Sequence, residues 1–165
     1  DTPIETWKDQ FQVNLMSSVS LSKHYLKGML DRNWGRILFI SSECAYLVPP
    51  DMISYSATKA SMHAVSRGLA HITRGTEVTS NVIVPGSTLT KGAKNFLNEK
   101  AITENTSIDN IEKDFFNNTR TSSLLERFAS TDEVANTITY LCSPLSSATN
   151  GSVIKVDGGS SGGIL

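Results

Sequence analysis

Arg36-Ile37-Leu38-Phe39-Ile40-Ser41-Ser42 is the stretch on which the fold turns. Four apolar residues stand in a row, with Asn33-Trp34-Gly35 before them and two serines after. A strand with one face in water alternates apolar and polar residues. A strand apolar on both faces belongs inside a parallel sheet covered by helices on each side.

Upstream, Ile4, Trp7, Phe11, Leu15, Val19, Leu26 and Met29/Leu30 recur at helical spacing, which predicts a helix over 4–31 with Trp7, Phe11 and Leu15 in the core. Thr2-Pro3-Ile4-Glu5 reads as its start, with Thr2 as cap, Pro3 in the first turn and Glu5 closing a capping box. Downstream, Pro49-Pro50-Asp51 breaks the chain, and Tyr55, Met62, Val65, Leu69 and Ile72 predict a second helix over 53–74. Ser80-Asn81-Val82-Ile83-Val84-Pro85-Gly86 predicts a second strand ended by Pro-Gly.

Residues 87–123 are polar, rich in Asn, Thr, Ser and Lys, with weak helical patches near 91–99 and 107–118. An excursion of this length predicts a substrate lid; Phe96 and Leu97 within it read as packing residues or as substrate contacts. Thr131-Asp132-Glu133 opens a helix to about Cys142, Ser143-Pro144 stops it, and 152–156 is a last strand. The glycines and serines of 158–163 follow that strand but open no helix, so they do not make a phosphate loop. They read as a flexible terminus or an oligomer contact. The order of elements predicts an α/β fold, a Rossmann-like doubly wound parallel sheet of which 1–165 holds about three strands and their helices, a single partial domain.

The composition excludes several function classes. With 39% hydrophobic and 19% charged residues the 165-residue chain is of ordinary globular type. Fifteen Lys and Arg against sixteen Asp and Glu give a net charge of −1, so neither nucleic acid nor an anionic membrane is an expected partner. No apolar run is long enough to span a bilayer. Cys44 and Cys142 read as reduced thiols of a cytoplasmic protein, and His24, His63 and His71 form no cluster, so no metal site is expected.

The chemistry centres on Tyr55-Ser56-Ala57-Thr58-Lys59. Residues four apart share a helix face, so phenol and ammonium address one point. A free tyrosine ionises near pH ~10, and a fixed cation beside it favours the phenolate. Such a pair suits proton transfer at an alcohol or carbonyl oxygen, although on its own it is also what a solvent-facing helix pair looks like. Ser42 ends the buried strand thirteen residues earlier, at the edge where open α/β sheets place ligands. Asn14 stands mid-helix, a poor position for Asn on propensity, and reads as a tolerated polar residue, a kink or a water-holding relay.

In order and spacing, Asn14, Ser42, Tyr55 and Lys59 resemble the catalytic tetrad of the short-chain dehydrogenase/reductase family. Asn81 through Gly86 with Thr90, then Arg127, Glu133-Val134-Ala135 and Leu141, and finally Thr149-Asn150-Gly151 through Asp157-Gly158-Gly159 are similar to that family's later segments. The resemblance implies an NAD(P)-dependent oxidoreductase acting on a small carbonyl or alcohol. Tyr55 would be the general acid/base, Lys59 would lower its pKa and hold the nicotinamide ribose, Ser42 would polarise the substrate oxygen, and Asn14 would hold a water. Pro85, Gly86, Thr88 and Thr90 would meet the cofactor with Tyr55 and Lys59. The cofactor is NAD or NADP, undistinguished because the selecting residues belong to a Gly-rich upstream half of roughly 90 residues. A homodimer or homotetramer through helices 4–31 and 53–74 is also implied.

Two departures from the family pattern stand out: Glu43-Cys44-Ala45 where glycine is common, and Ser87 after Pro85-Gly86 where an apolar residue is common. They bear on substrate fit. A rival reading makes the chain a catalytically inactive fragment that serves only as a fold and oligomerisation module. A weaker one makes it a nucleotide-responsive regulator.

Overall fold

The computed structural model describes residues 2–163. Its elements run in the predicted order. Helix α1 (Ile4–Gln10) passes through a π-helical turn (Phe11–Met16) into α2 (Ser17–Asp31). Strand β1 (Gly35–Ile40), the short helix α3 (Cys44–Leu47), the long helix α4 (Ile53–Ile72) and strand β2 (Val78–Pro85) follow. Helices α5 (Lys91–Thr103) and α6 (Ile108–Asp114) carry the excursion, then come α7 (Thr131–Cys142) and β3 (Val153–Val156).

The three strands form one parallel sheet in the order β1-β2-β3. β2 is central, and Val78 through Val84 are all buried, as a strand covered on both faces must be. On one face Ile37, Phe39, Val82 and Val84 pack with Met62 of α4, and Leu15, Leu26, Met29, Val65 and Leu69 close the cluster. α7 packs on β1 and β3 and buries Val134 and Leu141. The arrangement is the doubly wound α/β sheet expected, in its three-stranded part. Of the three predicted core residues on the first helix, Leu15 packs on this cluster, while Trp7 and Phe11 are half-buried and stack on each other.

Two local readings need correction. The Thr2 capping box does not form: Pro3 is the N-cap residue of α1 and the cap makes no side-chain hydrogen bond. A reciprocal box closes instead at α7, where Ser130 Oγ accepts from Glu133 N and the Glu133 carboxylate accepts from Ser130 N. Arg127 clamps the same carboxylate at 2.7 and 3.0 Å and holds its pKa down at about 2. The terminal glycine-serine run is no loose end where it is described. Asp157 accepts from the backbone N–H groups of Gly159 and Ser161, and Asp157, Ser160 and Ser161 are buried. This turn packs under Leu124 and Leu125, whose N–H groups both donate to the Gly158 carbonyl. Residues 164 and 165 lie outside the described part of the chain.

Gly86 sits where β2 meets this turn. A Cβ there would lie 2.6 Å from the Asp157 Cα, and the obstacle is backbone on both sides. Gly68, inside α4, has nothing within 4 Å of a Cβ. Gly86→Ala should therefore lower stability by about 1–3 kcal/mol through overpacking, whereas Gly68→Ala should raise it by about 0.5–1 kcal/mol through helix propensity. Urea unfolding midpoints of the two variants check the opposite signs.

Candidate active site

Tyr55 and Lys59 stand one turn apart in the first half of α4, on the face turned to the carboxyl end of β1. Lys59 Nζ donates to the Ile40 carbonyl at 2.9 Å and lies 5.5 Å from the centre of the Tyr55 ring. Ser42 lies two residues past the end of β1, and its hydroxyl acts to lower the pKa of the Tyr55 phenol; the same hydroxyl accepts from Cys44 N at 3.2 Å. Phenol, ammonium and serine hydroxyl thus converge at one sheet edge.

Asn14 lies in the π-helical turn between α1 and α2. A π-turn widens the backbone spiral by one residue and is a frequent companion of functional sites. Ser18 Oγ donates to the Asn14 carbonyl at 2.7 Å, and Asn14 Nδ2 donates to Thr58 Oγ1 at 3.1 Å. Thr58 Oγ1 donates in turn to the Tyr55 carbonyl at 2.7 Å. Asn14 is tied in this way to the backbone of the turn that carries Tyr55 and Lys59. Asn14 and Lys59 also line a common groove of about 480 Å³ between α2 and β1.

The electrostatics differ from the expectation in one respect. Burial holds the Tyr55 phenol above its ordinary pKa; the Ser42 hydroxyl offsets part of the rise and Cys44 adds to it. The net direction is upward, not downward. The reason is visible in the geometry, since Lys59 spends its ammonium on the Ile40 carbonyl and is itself half-buried. Burial pushes the Lys59 pKa down. Both groups are drawn toward their neutral forms.

Pro85 ends β2 beside this cluster and Gly86 follows it, with Gly86 N donating to the Val156 carbonyl at 3.0 Å. Thr88 Oγ1 donates to the Gly86 carbonyl at 2.9 Å, and Thr90 Oγ1 caps α5 by accepting from Ala93 N at 3.2 Å. The two threonine hydroxyls have local structural partners, so any ligand contact is an addition to those.

Sequence reasoning passed over a buried layer beneath the site. Ser41 Oγ donates to the Lys59 carbonyl at 3.0 Å and pairs with His63 Nε2 at 2.9 Å. Burial lowers the His63 pKa. Its place one turn beyond Lys59, continuing the 55, 59, 63 spacing, was the available signal. The two free thiols are Cys44, buried, and Cys142, exposed. No group of histidine, cysteine and carboxylate residues suited to a metal occurs among the described residues, and no described helix is long and apolar enough to cross a membrane.

Comparison with known proteins bears on the fold and the family. A family model described as enoyl-(acyl carrier protein) reductase matches residues 1–161. The uncharacterized oxidoreductase YvaG of Bacillus subtilis is 42% identical over 159 residues, covering 96% of this chain and 60% of the relative. The 3-oxoacyl-(acyl-carrier-protein) reductase of Aquifex aeolicus is 30% identical over 153 residues, covering 93% of this chain and 56% of the relative. Among solved structures, the L-sorbose reductase of Gluconobacter frateurii, complexed with NADPH and L-sorbose, superposes with a TM-score of 0.89 at 26% identity. That match covers 99% of this chain and 61% of the reductase. The chain therefore spans about three fifths of the length of these relatives. Fold and sequence similarity agree that the chain belongs to the short-chain dehydrogenase/reductase family of oxidoreductases.

Proposed function

We propose that the protein carrying this chain is an NAD(P)-dependent oxidoreductase that works on a small carbonyl or alcohol, with Tyr55 as general acid/base. The observation that carries the reading is the convergence of Tyr55, Lys59 and Ser42 at the carboxyl end of β1. That edge is where open α/β sheets take ligands.

The residues present fit the nicotinamide half of such a cofactor. An ammonium carries three donors, and Lys59 spends one on Ile40 O, so a vicinal diol of a ribose finds donors at a half-buried cation. The stretch from Pro85 and Gly86 to Thr88 and Thr90 begins at the same edge and would face the nicotinamide side. When bound, the cofactor supplies the hydride. The chain's own residues do the rest. Ser42 hydrogen-bonds the substrate oxygen, Tyr55 donates a proton to that oxygen as negative charge builds on it, and Lys59 holds the ribose. Asn14 fixes the catalytic turn through Thr58 and holds a water on the path from Lys59 to the groove. Residues 87–123 would cover the substrate.

A phenol whose pKa lies above the ordinary value stays protonated across neutral pH, so it is ready to act as the acid in carbonyl reduction. Self-association as a homodimer or homotetramer through helices 4–31 and 53–74 is supported by exposed Ile4, Val13, Leu21 and Ile72 on those helices. The free thiols fit a reducing, cytoplasmic setting. The rival reading, an inactive folding and assembly module, draws on the β1 edge, which has β2 as its one neighbour among the described strands.

In a full-length protein that carries this chain, Tyr55→Phe should lower kcat for NADPH-driven carbonyl reduction by about 10²–10⁴-fold, with a Tm close to that of the wild type. Equal turnover by the variant refutes the assignment. Turnover by the 165-residue chain alone refutes the inactive-module reading. The pH profile carries its own sign: reduction should hold steady from pH 6 to about 9 and fall only as the phenol ionises above its ordinary value near ~10. Oxidation should rise over the same range. A reduction rate that falls through pH 7 contradicts the upward shift.

A further inference from the structure

The two departures from the family pattern, at 43 and 87, touch each other. Ser87 Oγ donates to Glu43 Oε1 at 2.9 Å. The same oxygen lies 3.1 Å from Arg120 Nε, in an ion pair whose N–H is not aligned for a hydrogen bond. Glu43 is 3% exposed, and the Arg120 side chain is 14% exposed, with its guanidinium 5.8 Å above the Phe115 ring. Glu43 Oε2 is buried and has no hydrogen-bond partner among the described residues.

Position along the chain gives this cluster its meaning. Ser87 is the first residue of the excursion and Arg120 stands just after its last helical turn, Phe115–Thr119. Thirty-three residues apart, they meet on one carboxylate oxygen. Glu43 is the residue after Ser42, and its backbone N–H donates to the Pro85 carbonyl at 2.9 Å. A carboxylate this deeply buried tolerates its charge only while paired. Opening the excursion at Arg120 would strand that charge, so both ends are held.

We propose that Glu43 is a positioning residue: its carboxylate clasps the first residue and the C-terminal part of the 87–123 excursion and so fixes the position of α5 and α6 relative to Ser42 and Tyr55. The neck formed by the Thr88–Ala129 bridge and the Leu89 N–H to Ala129 carbonyl bond stays in place without the clasp. What the clasp adds is the setting of the excursion against the catalytic strand end. As a positioning role it rests on the oxidoreductase reading above; as a mechanical tie it does not.

The test separates the two. Amide hydrogen exchange is followed in the 165-residue chain for wild type, Arg120→Met, Arg120→Lys, Ser87→Ala and Glu43→Gln. Arg120→Met and Glu43→Gln should speed exchange over 91–119 by about tenfold or more, with β2 and α4 as protected as in wild type. Arg120→Lys should recover most of the protection, and Ser87→Ala should give a smaller increase, which keeps the test sound if Glu43→Gln fails to fold. Unchanged exchange over 91–119 in Arg120→Met, or an equal rise in β2 and α4, overturns the clasp. In a full-length active protein Arg120→Met should raise KM for the carbonyl substrate about fivefold or more with kcat within about twofold, and Arg120→Lys should restore it. Equal loss in kcat with KM unchanged overturns the positioning role. Absence of turnover in the wild type counts against the oxidoreductase reading alone, because the exchange result still decides the clasp.

Discussion

The hydrogen-bond ladder between β1 and β2 does not stop where β1 stops. Past Ile40, Ser41 N donates to the Ile83 carbonyl at 2.8 Å and Glu43 N to the Pro85 carbonyl at 2.9 Å. Ser42 is held between these two bonds, so its place is set by the sheet rather than by a loop. The site depends on this extension. It presents the Ser42 hydroxyl beside α4, brings the Ile40 carbonyl within reach of Lys59 and puts the Glu43 carboxylate beside Ser87. Hydrogen bonds between parallel strands are slanted, and here the slant carries Ser42 into line with the end of β2.

Much of this was legible in the chain. The apolar run 37–40 announces a strand buried on both faces, and the Tyr55–Lys59 spacing announces a shared helix face; both are local patterns with one dominant period. The mid-helix asparagine was legible as an anomaly, and the π-turn at 11–16 is its structural form. What stayed hidden is long-range. Glu43, Ser87 and Arg120 lie in three separate segments, and nothing in their neighbours says that they meet. Asp157 looked like the start of a loose glycine-rich end because its turn is made by its own carboxylate and by Leu124 and Leu125 from far upstream. The Thr2 box failed for a plainer reason: the helix begins at Ile4, one residue too late for Thr2 to be its cap.

Asn14 shows how a poor helix residue is retained. The π-turn loosens the regular ladder around it, Ser18 takes up its carbonyl, and its side-chain amide spends one N–H on Thr58. A leucine at that position would suit the helix better and would leave the α4 turn without its outside tie. The local cost falls on α1–α2, and the benefit appears on α4, across the groove.

Burial of Tyr55 and Lys59 is more than a by-product of packing. Two groups of opposite charge in water would each prefer to be ionised or protonated by its own intrinsic pKa; half-buried, the phenol is pushed up and the ammonium down. Each shift acts against the charged form of its group. A phenol pushed up beside an ammonium pushed down is a pair biased toward its uncharged forms. The same burial makes the arrangement depend on whatever keeps water off it. Among the elements around the strand end, the excursion from 87 to 123 is the one fastened directly to the residue that follows Ser42.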